Sequence, residues 1–447
     1  MKIQLPKEVN NIIQTLTDAG FEAFAVGGCV RDSILGRIPE DWDITTSAKP
    51  QQVKALFKRT IDTGIQHGTV TIMKNGVGYE VTTYRIDGEY EDSRHPKNVE
   101  FTENLVEDLK RRDFTINAMA YSHQVGLVDE FGGIEDLKNK VIRCVGNATN
   151  RFEEDALRIM RAIRFAAQLG ATIDEDTMDA IKKLSANLSN ISAERIQVEL
   201  NKLITSDHPE LMMLAYELGV TQIIMPEFDD TMGVEQANIH HCYDVGTHTI
   251  VSLKNIPNDK VLRLTMLFHD MGKVHTKTVD EAGVNHFHGH NYVSEKIARS
   301  ILTRLKYDNN TINMVTKLVR YHDERIPPND VDVRKAIVEM GRDVLEILPF
   351  VQRADALAQS EYNREEKLNR IEEVKKVFSQ ILERGDCTSL AMLALKGKDV
   401  MDLGVKQGKA VGEILHILLE KVVVVPALND REVLKNIVLE YIKNEGI

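Results

Sequence analysis

At 447 residues the chain is too long for one typical core and implies roughly two to four domains. Its 43% hydrophobic and 28% charged residues are those of a globular protein, and a net charge of −12 excludes a surface coated in basic residues, though not a local basic patch. No apolar run reaches the ~18 residues of a membrane span, the opening MKIQLPKEVNN is polar, and Cys29, Cys144, Cys242 and Cys387 form no CxxC pair, so a cytoplasmic protein without zinc knuckle or disulfide framework is expected.

Val9, Ile12, Ile13 and Leu16 recur at helical spacing and Gly20 closes the run, which predicts an amphipathic helix over 6–19. Phe21 to Val26 reads as a strand running into Gly27-Gly28, a turn at which backbone N–H groups can approach a phosphate because no Cβ intervenes. Arg31-Asp32 follows, then Asp41-Trp42-Asp43 in a segment of β character, where residues two apart share a face. Two adjacent carboxylates repel unless a cation lies between them. Mg²⁺, held by one or two carboxylates plus substrate phosphates, meets that need. Taken alone, an Asp-x-Asp more often marks a surface turn.

A helix is expected over 49–57, and then a hairpin of TVTIMK and VGYEVTTYR joined by Asn75-Gly76. Glu80, on the second strand, is either a surface glutamate or a third carboxylate beside Asp41 and Asp43, and spacing does not decide between them. Residues 87–110 are polar and aperiodic and read as a mobile loop. Arg111-Arg112 then opens RRDFTINAMAY; two adjacent arginines are either a solvated basic spot or a clamp on phosphate oxygens.

GGCVRDSILG followed by DWDITT resembles the nucleotidyltransferase superfamily of the polymerase-β type, and within it the class II tRNA CCA-adding enzymes and bacterial poly(A) polymerases. The family pattern is roughly GGxVRDxxLG…DxDxxT, and only Trp42, usually aliphatic there, departs from it. RRDFTINA and VDEFGGIEDL (128–137) match further family signatures. The resemblance implies Asp41 and Asp43 as Mg²⁺ ligands, Glu80 as a third catalytic acid, and Gly27, Gly28, Arg31, Asp32, Arg112, Asp113 and Asn117 around the nucleotide.

From about residue 146 the pattern turns helical. RFEEDALRIMRAIRFAAQL (151–169) sets Asp155, Arg158 and Arg161 at three-residue spacing, projecting from one face of a helix, with Arg164 beyond. Ion pairs on an exposed helix are one reading. The other is a base reader: cytosine and adenine both present an amino donor beside a ring-nitrogen acceptor, which an aspartate and an arginine satisfy together. This EDxxR run resembles the family's amino-acid template, which implies that Asp155 and Arg158 read the base while Arg161 and Arg164 line the pocket. ISAERIQVELNKLI (191–204) is expected to be a helix packed beneath.

His248, His269-Asp270, His290, His322 and Asp355 form a second ordered set. Each histidine alone is ordinarily structural, but together with the carboxylates the set has the chemistry of a divalent-metal site. It resembles the HD phosphohydrolase domain carried by some bacterial CCA-adding enzymes, which implies a transition-metal site at His248, His269, Asp270 and Asp355; in other members the domain is a scaffold. The tail resembles the family's segment for the tRNA elbow. Gly397-Lys398 and Gly408-Lys409 there serve either phosphates or helix ends with dipole-matched lysines.

The expected fold is α+β: a catalytic head (1–145) with a mixed, mostly antiparallel sheet, then an all-helical neck (146–225), HD-type body (226–360) and tail (361–447). The expected activity is addition of C, C and A from CTP and ATP to the tRNA 3′ end. The alternatives are an enzyme adding only A or only CC, a poly(A) polymerase, and an HD phosphohydrolase. No membrane partner is expected.

Overall fold

The computed structural model describes residues 2–445 apart from 89–98. The chain divides into two compact units, residues 1–229 and 230–447. In the first, α1 (Lys7–Asp18) buries Val9, Ile12, Ile13 and Leu16, the stripe visible in its sequence. A seven-stranded sheet is built from β1 (Ala23–Val26), β2 (Ile44–Thr46), β3 (Thr60–Gly64), β4 (Thr69–Lys74), β5 (Val77–Thr83), β8 (Ala120–Ser122) and β9 (Gly126–Val128), in the order β3-β4-β5-β2-β1-β8-β9. Every neighbouring pair is antiparallel except β2 with β5, so the sheet is mixed and mostly antiparallel as expected.

Three short helices punctuate this sheet: α2 (Gly28–Ile34) straight after the glycine turn, α3 (Pro50–Leu56), and α4 (Leu105–Lys110). Within the segment read as a mobile loop, β6 (Arg85–Asp87) pairs with β7 (Val99–Phe101), and Asn104 caps α4 by accepting from the Val106 N–H. Those flanks are therefore ordered; residues 89–98 of that segment lie outside the described residues. Leu105 and Leu109 bury against Phe24, Val26 and Tyr84, an anchoring that the surrounding charges hid in the sequence.

Beyond α5 (Gly133–Asn139) come α6 (Ala148–Glu154), α7 (Leu157–Leu169), α8 (Glu175–Leu184) and α9 (Ala193–Ile204). The single helix expected over 151–169 is broken. Asp155 leaves helical geometry (φ −142°, ψ 102°), and its Oδ1 accepts from the Leu157 N–H at 3.0 Å. An aspartate that bonds its own backbone offers the chain an alternative to the helical ladder, and here it caps α7 instead of continuing α6. Nor is everything after residue 145 helical: β11 (Thr172–Ile173) pairs in parallel with β10 (Val141–Ile142), and β12 (Thr278–Val279) with β13 (Asn285–His286).

In the second unit, helices 245–255, 260–268, 290–304, 309–321 and 342–358 pack on one another, and Asp244, Asp259 and Asp308 cap three of them. A further core around Leu395, Leu418, Val422, Leu434 and Val438 closes the C-terminal end. There, Gly397 opens helix 397–402 and Gly408 precedes helix 409–424. Both glycine-lysine steps therefore lie at helix starts, where the dipole disfavours lysine, so neither lysine is dipole-matched. Among the described residues no helix is long and apolar enough to cross a membrane.

Candidate active site and a histidine–aspartate cluster

The strand pairing of β1 and β2 fixes where the carboxylates go. Val26 donates its N–H to the Asp43 carbonyl at 3.0 Å, and the next residue, Gly27, turns away to pair with Met119. The ladder ends there, so Asp41 and Asp43 lie in the segment leading into β2 and not on the strand itself. Register does the rest: Ile44 stands opposite Val81 on β5, which sets Glu80 beside Asp43. Glu80 feels both aspartates. Loss of surrounding water raises its carboxyl above the ordinary value, and Asp43 and Asp41 raise it further. Asp43, although open to solvent, is raised for the same first reason and by Asp41, with Arg112 opposing. Two raised carboxyls beside a third carboxylate make a site short of a cation.

Arg112 supplies part of it. Its guanidinium lies 3.6 Å from Asp108, a carboxylate with no exposed surface that also accepts from Arg111 and from Thr45. Arg112 Nε is buried and makes no hydrogen bond. Gly27 has φ +83°, and a Cβ there would meet Arg112 Nη1 at 3.0 Å, so this turn needs glycine twice over. Asp108 was not legible in the sequence; its one signal is the three- and four-residue spacing to Arg111 and Arg112.

Arg31 is held by both Asp32 oxygens at 2.9 Å and donates to Asn117 Oδ1 at 2.7 Å. Asn117 in turn donates to Asp113, whose other oxygen accepts from Arg161 Nε at 2.7 Å. Burial works against charge on Asp113, but Arg161 and Arg158 outweigh it and hold the carboxyl well below the usual range. The guanidinium groups of Arg31, Arg161 and Arg164 lie 4.9, 5.4 and 3.6 Å from the ring centre of the buried Phe165. Arg164 also pairs with Glu199 of α9 at 2.6 Å, which locks α9 beneath α7 as expected.

A cleft of about 500 Å³ brings Gly28, Arg31, Asp32, Asp41, Asp43 and Arg164 together. That volume falls within the range of small-ligand sites. Asp155, Arg158 and Arg161 do not line it. Because the helix breaks, Asp155 and Arg158 do not project side by side: Asp155 pairs with Arg195 at 2.8 Å, and Arg158 with Glu154 at 2.7 Å and the Arg111 carbonyl at 3.1 Å. Arg195 and Glu154 were not assigned a role from sequence.

The second constellation closes into one cluster. His248 Nε2 lies 2.9 Å from Asp355 and 3.2 Å from His269 Nε2; His290 Nε2 lies 3.3 Å from His322 Nε2. Asp270 stands between the two pairs, with Oδ2 3.3 Å from His269 and Oδ1 3.3 and 3.5 Å from His290 and His322. The opposite ring nitrogens face backbone carbonyls: Nδ1 of His248, His269, His290 and His322 meets Ala358, Met266, Phe287 and Val319. With Nδ1 turned to a carbonyl, each Nε2 points into the cluster. His248, His269, Asp270 and Asp355 form one set of converging ligand atoms, and Asp270, His290 and His322 a second. Asp270 Oδ1 is buried without a hydrogen bond. A divalent metal fits this donor set. Gly272 makes it possible, because a Cβ there would fall 2.2 Å from the His290 carbonyl. Lys273, three residues after Asp270, donates to it at 2.6 Å and was missed in the sequence.

This fold and these sites define the chain as a nucleotidyltransferase with an appended helical region. Residues 23–143 match the poly A polymerase head domain, 170–232 the probable RNA and SrmB-binding site of polymerase A, and 284–438 the putative domain 2 of tRNA nucleotidyltransferases. The CCA-adding enzyme of Leuconostoc mesenteroides is 34% identical over the full length of both chains. That of Lactiplantibacillus plantarum is 53% identical over 209 residues, 46% of this chain and 51% of its own. The crystal structure of the Bacillus stearothermophilus CCA-adding enzyme in complex with CTP is 29% identical, covers 99% of each chain and superposes with a TM-score of 0.74. The chain belongs to the CCA-adding enzyme family.

Proposed function

We propose that the chain adds C, C and A, from CTP and ATP, to the 3′ end of tRNA without a nucleic-acid template, releasing pyrophosphate. The observation that carries this reading is the raised Asp43 carboxyl beside Asp41, in a cleft also lined by Arg31 and Arg164, with the raised Glu80 carboxyl next to Asp43. Enzymes of this family depend on a divalent metal ion. Asp41 and Asp43 are the residues that would hold it as Mg²⁺, which when bound activates a hydroxyl and neutralises triphosphate charge. Arg112, with Nε unused, donates to the phosphates, and Gly27 lets it come close. The Arg31–Asn117–Asp113–Arg161 chain holds the glycine turn in register with α7, so the phosphate and base ends of the site move together.

Asp155 and Arg158 select the base. The aspartate accepts from the exocyclic amino group and the arginine donates to the ring nitrogen, an order that cytosine and adenine share and that uracil and guanine reverse. An incoming base exchanges for Arg195 on Asp155 and for Glu154 on Arg158. The tail binds the tRNA elbow, and the cytoplasm, where tRNA is found, is the compartment this reading implies.

Primer extension on tRNA ending before CCA, after C and after CC, with CTP, ATP or both, tests the proposal. Addition of two C and one A supports it. Action on the CC end alone would reduce it to A addition, long A tails would make it a poly(A) polymerase, and no incorporation would remove it.

A second reading concerns the buried cluster. Asp270 Oδ1, without a hydrogen bond between His290 and His322, is what supports a transition-metal phosphoesterase site held by His248, His269, Asp270 and Asp355 with those two histidines. Phosphatase or cyclic phosphodiesterase activity that requires added divalent metal is expected; absent or metal-independent hydrolysis would return the cluster to a structural role.

A further inference from the structure

We propose that the cleft beside this cluster is an anion subsite, in which Arg325, Lys367 and Arg370 take the phosphate group of a small phosphoester and present it to the side of the cluster marked by Asp355 and His322. The inference rests on the metal-site reading only for the chemistry that follows binding.

The cleft holds about 100 Å³ and is lined by His322 and Asp355 of the cluster together with Arg325, Lys367 and Arg370. That is well below the ~300–1,000 Å³ of a site that encloses a whole drug-sized ligand, so it suits one charged group whose remainder stays outside. Its cations lack compensation. Among the described residues, Arg325 and Arg370 have neither an ion-pair nor a hydrogen-bond partner. Lys367 donates its Nζ to Gln359 Oε1 at 2.6 Å, and Gln359 donates through Nε2 to Asp355 Oδ2 at 2.8 Å. One amide thus couples the anion subsite to a residue of the cluster. Lys367 registers the crowding: burial, then Arg325, Arg370 and Arg364, draw its ammonium below the ordinary value although Asp355 opposes them.

Acidic residues are present. Asp323 and Glu324 also border the cleft, and Asp355 closes it. The first two are exposed and well solvated, and Asp355 is engaged by His248. Among the described residues Arg325 and Arg370 are left without a partner and Lys367 with one amide oxygen, and a phosphate with two ionised oxygens is the ligand chemistry they complement. A phosphate on an RNA backbone carries only one and cannot enter end-on, which favours the small phosphoester.

The test uses the full-length protein and inorganic phosphate as the probe. Phosphate affinity is measured by calorimetry, with metal content and tRNA affinity measured in parallel, for the native chain and for Arg325→Ala, Arg370→Ala, the double variant and Arg370→Lys. We expect the double variant to lose at least tenfold in phosphate affinity, Arg370→Lys to recover most of it, and metal content and tRNA affinity to stay unchanged. A raised KM for p-nitrophenyl phosphate at constant kcat would add support. Unchanged phosphate affinity in the double variant overturns the proposal. So does a loss confined to tRNA affinity, which would assign the cleft to RNA. If the native protein binds no metal yet the phosphate effect is present, the subsite stands and the phosphoesterase reading alone fails.

Discussion

The two carboxylate centres of this chain solve the same electrostatic problem in opposite ways. In the head, Asp41 and Asp43 lie where the β1–β2 ladder ends, with Glu80 on β5 beside them; all three are open to solvent, and Arg112 is the cation that acts on Asp43. Loss of surrounding water, and then the charge of neighbouring carboxylates, raises the carboxyls of Asp43 and Glu80. In the cluster, Asp270 and Asp355 are surrounded by imidazoles and by Lys273, and both are held well below the usual carboxylate range despite burial. The head is a site completed by its ligands. The cluster is neutralised from within, and a metal must displace charge already there.

The comparison breaks most sharply at Asp41. Asp41→Ala should lower nucleotide transfer on the order of 10³-fold, as removal of a group that stabilises transition-state charge does, while leaving hydrolysis and metal content at the cluster unchanged. Primer extension checks it, and a fully active variant would end the metal assignment in the head. Asp270→Asn is the converse. It keeps shape but removes the carboxylate shared by both ligand sets, so metal affinity at the cluster should fall by about 100-fold with CCA addition intact. Metal titration of both proteins decides.

Acidity separates the centres further. Burial disfavours charge on His269, yet Asp270 and Asp355 beside it push its pKa up to about 10. At neutral pH the metal-free ring therefore carries a proton that a metal must expel. Metal affinity should rise about tenfold per pH unit between pH 7 and 10 if one proton is released. A flat profile would mean that the ring is already neutral.

Selectivity is the next smaller effect. Arg158→Ala should relax discrimination of CTP and ATP against UTP and GTP by about tenfold, the cost of one charged hydrogen bond. Unchanged discrimination in competition assays would remove the base-reading role.

What the sequence revealed, and what it hid, follows the range of the interactions involved. The helix over 7–18, the Asn75-Gly76 hairpin and the order of motifs around Gly27, Asp41 and Arg112 are local patterns, and they were legible. The break at Asp155 was not, because helical periodicity runs straight through RFEEDALRIMRAIRF and only one side-chain cap interrupts it. The partners Arg195 and Glu199, forty and thirty-five residues from Asp155 and Arg164, follow from α9 lying beneath α7, which spacing does not disclose. For the histidines the order H…HD…H…H…D was visible, but not that Asp270 would stand between two pairs, nor that Gly272 would be needed for the approach of His290.

The smallest predicted effect is the one that reads the head's incompleteness directly. The Asp43 carboxyl is raised in the folded protein, so the fold binds a proton there more tightly than the unfolded chain does. The sign follows: ionising Asp43 disfavours folding, and stability linked to this group is greatest at low pH and declines as pH rises through its raised value. Asp43→Asn keeps the shape and removes the charge. In EDTA at pH 7 its thermal midpoint should therefore lie a few degrees above that of the native chain, on the order of 2 °C. Added Mg²⁺ should raise the native midpoint towards the variant's and leave the variant unmoved. A variant less stable than the native chain in EDTA would show that Asp43 serves the fold, and the contrast between an unfinished head and a self-neutralised cluster would have to be abandoned.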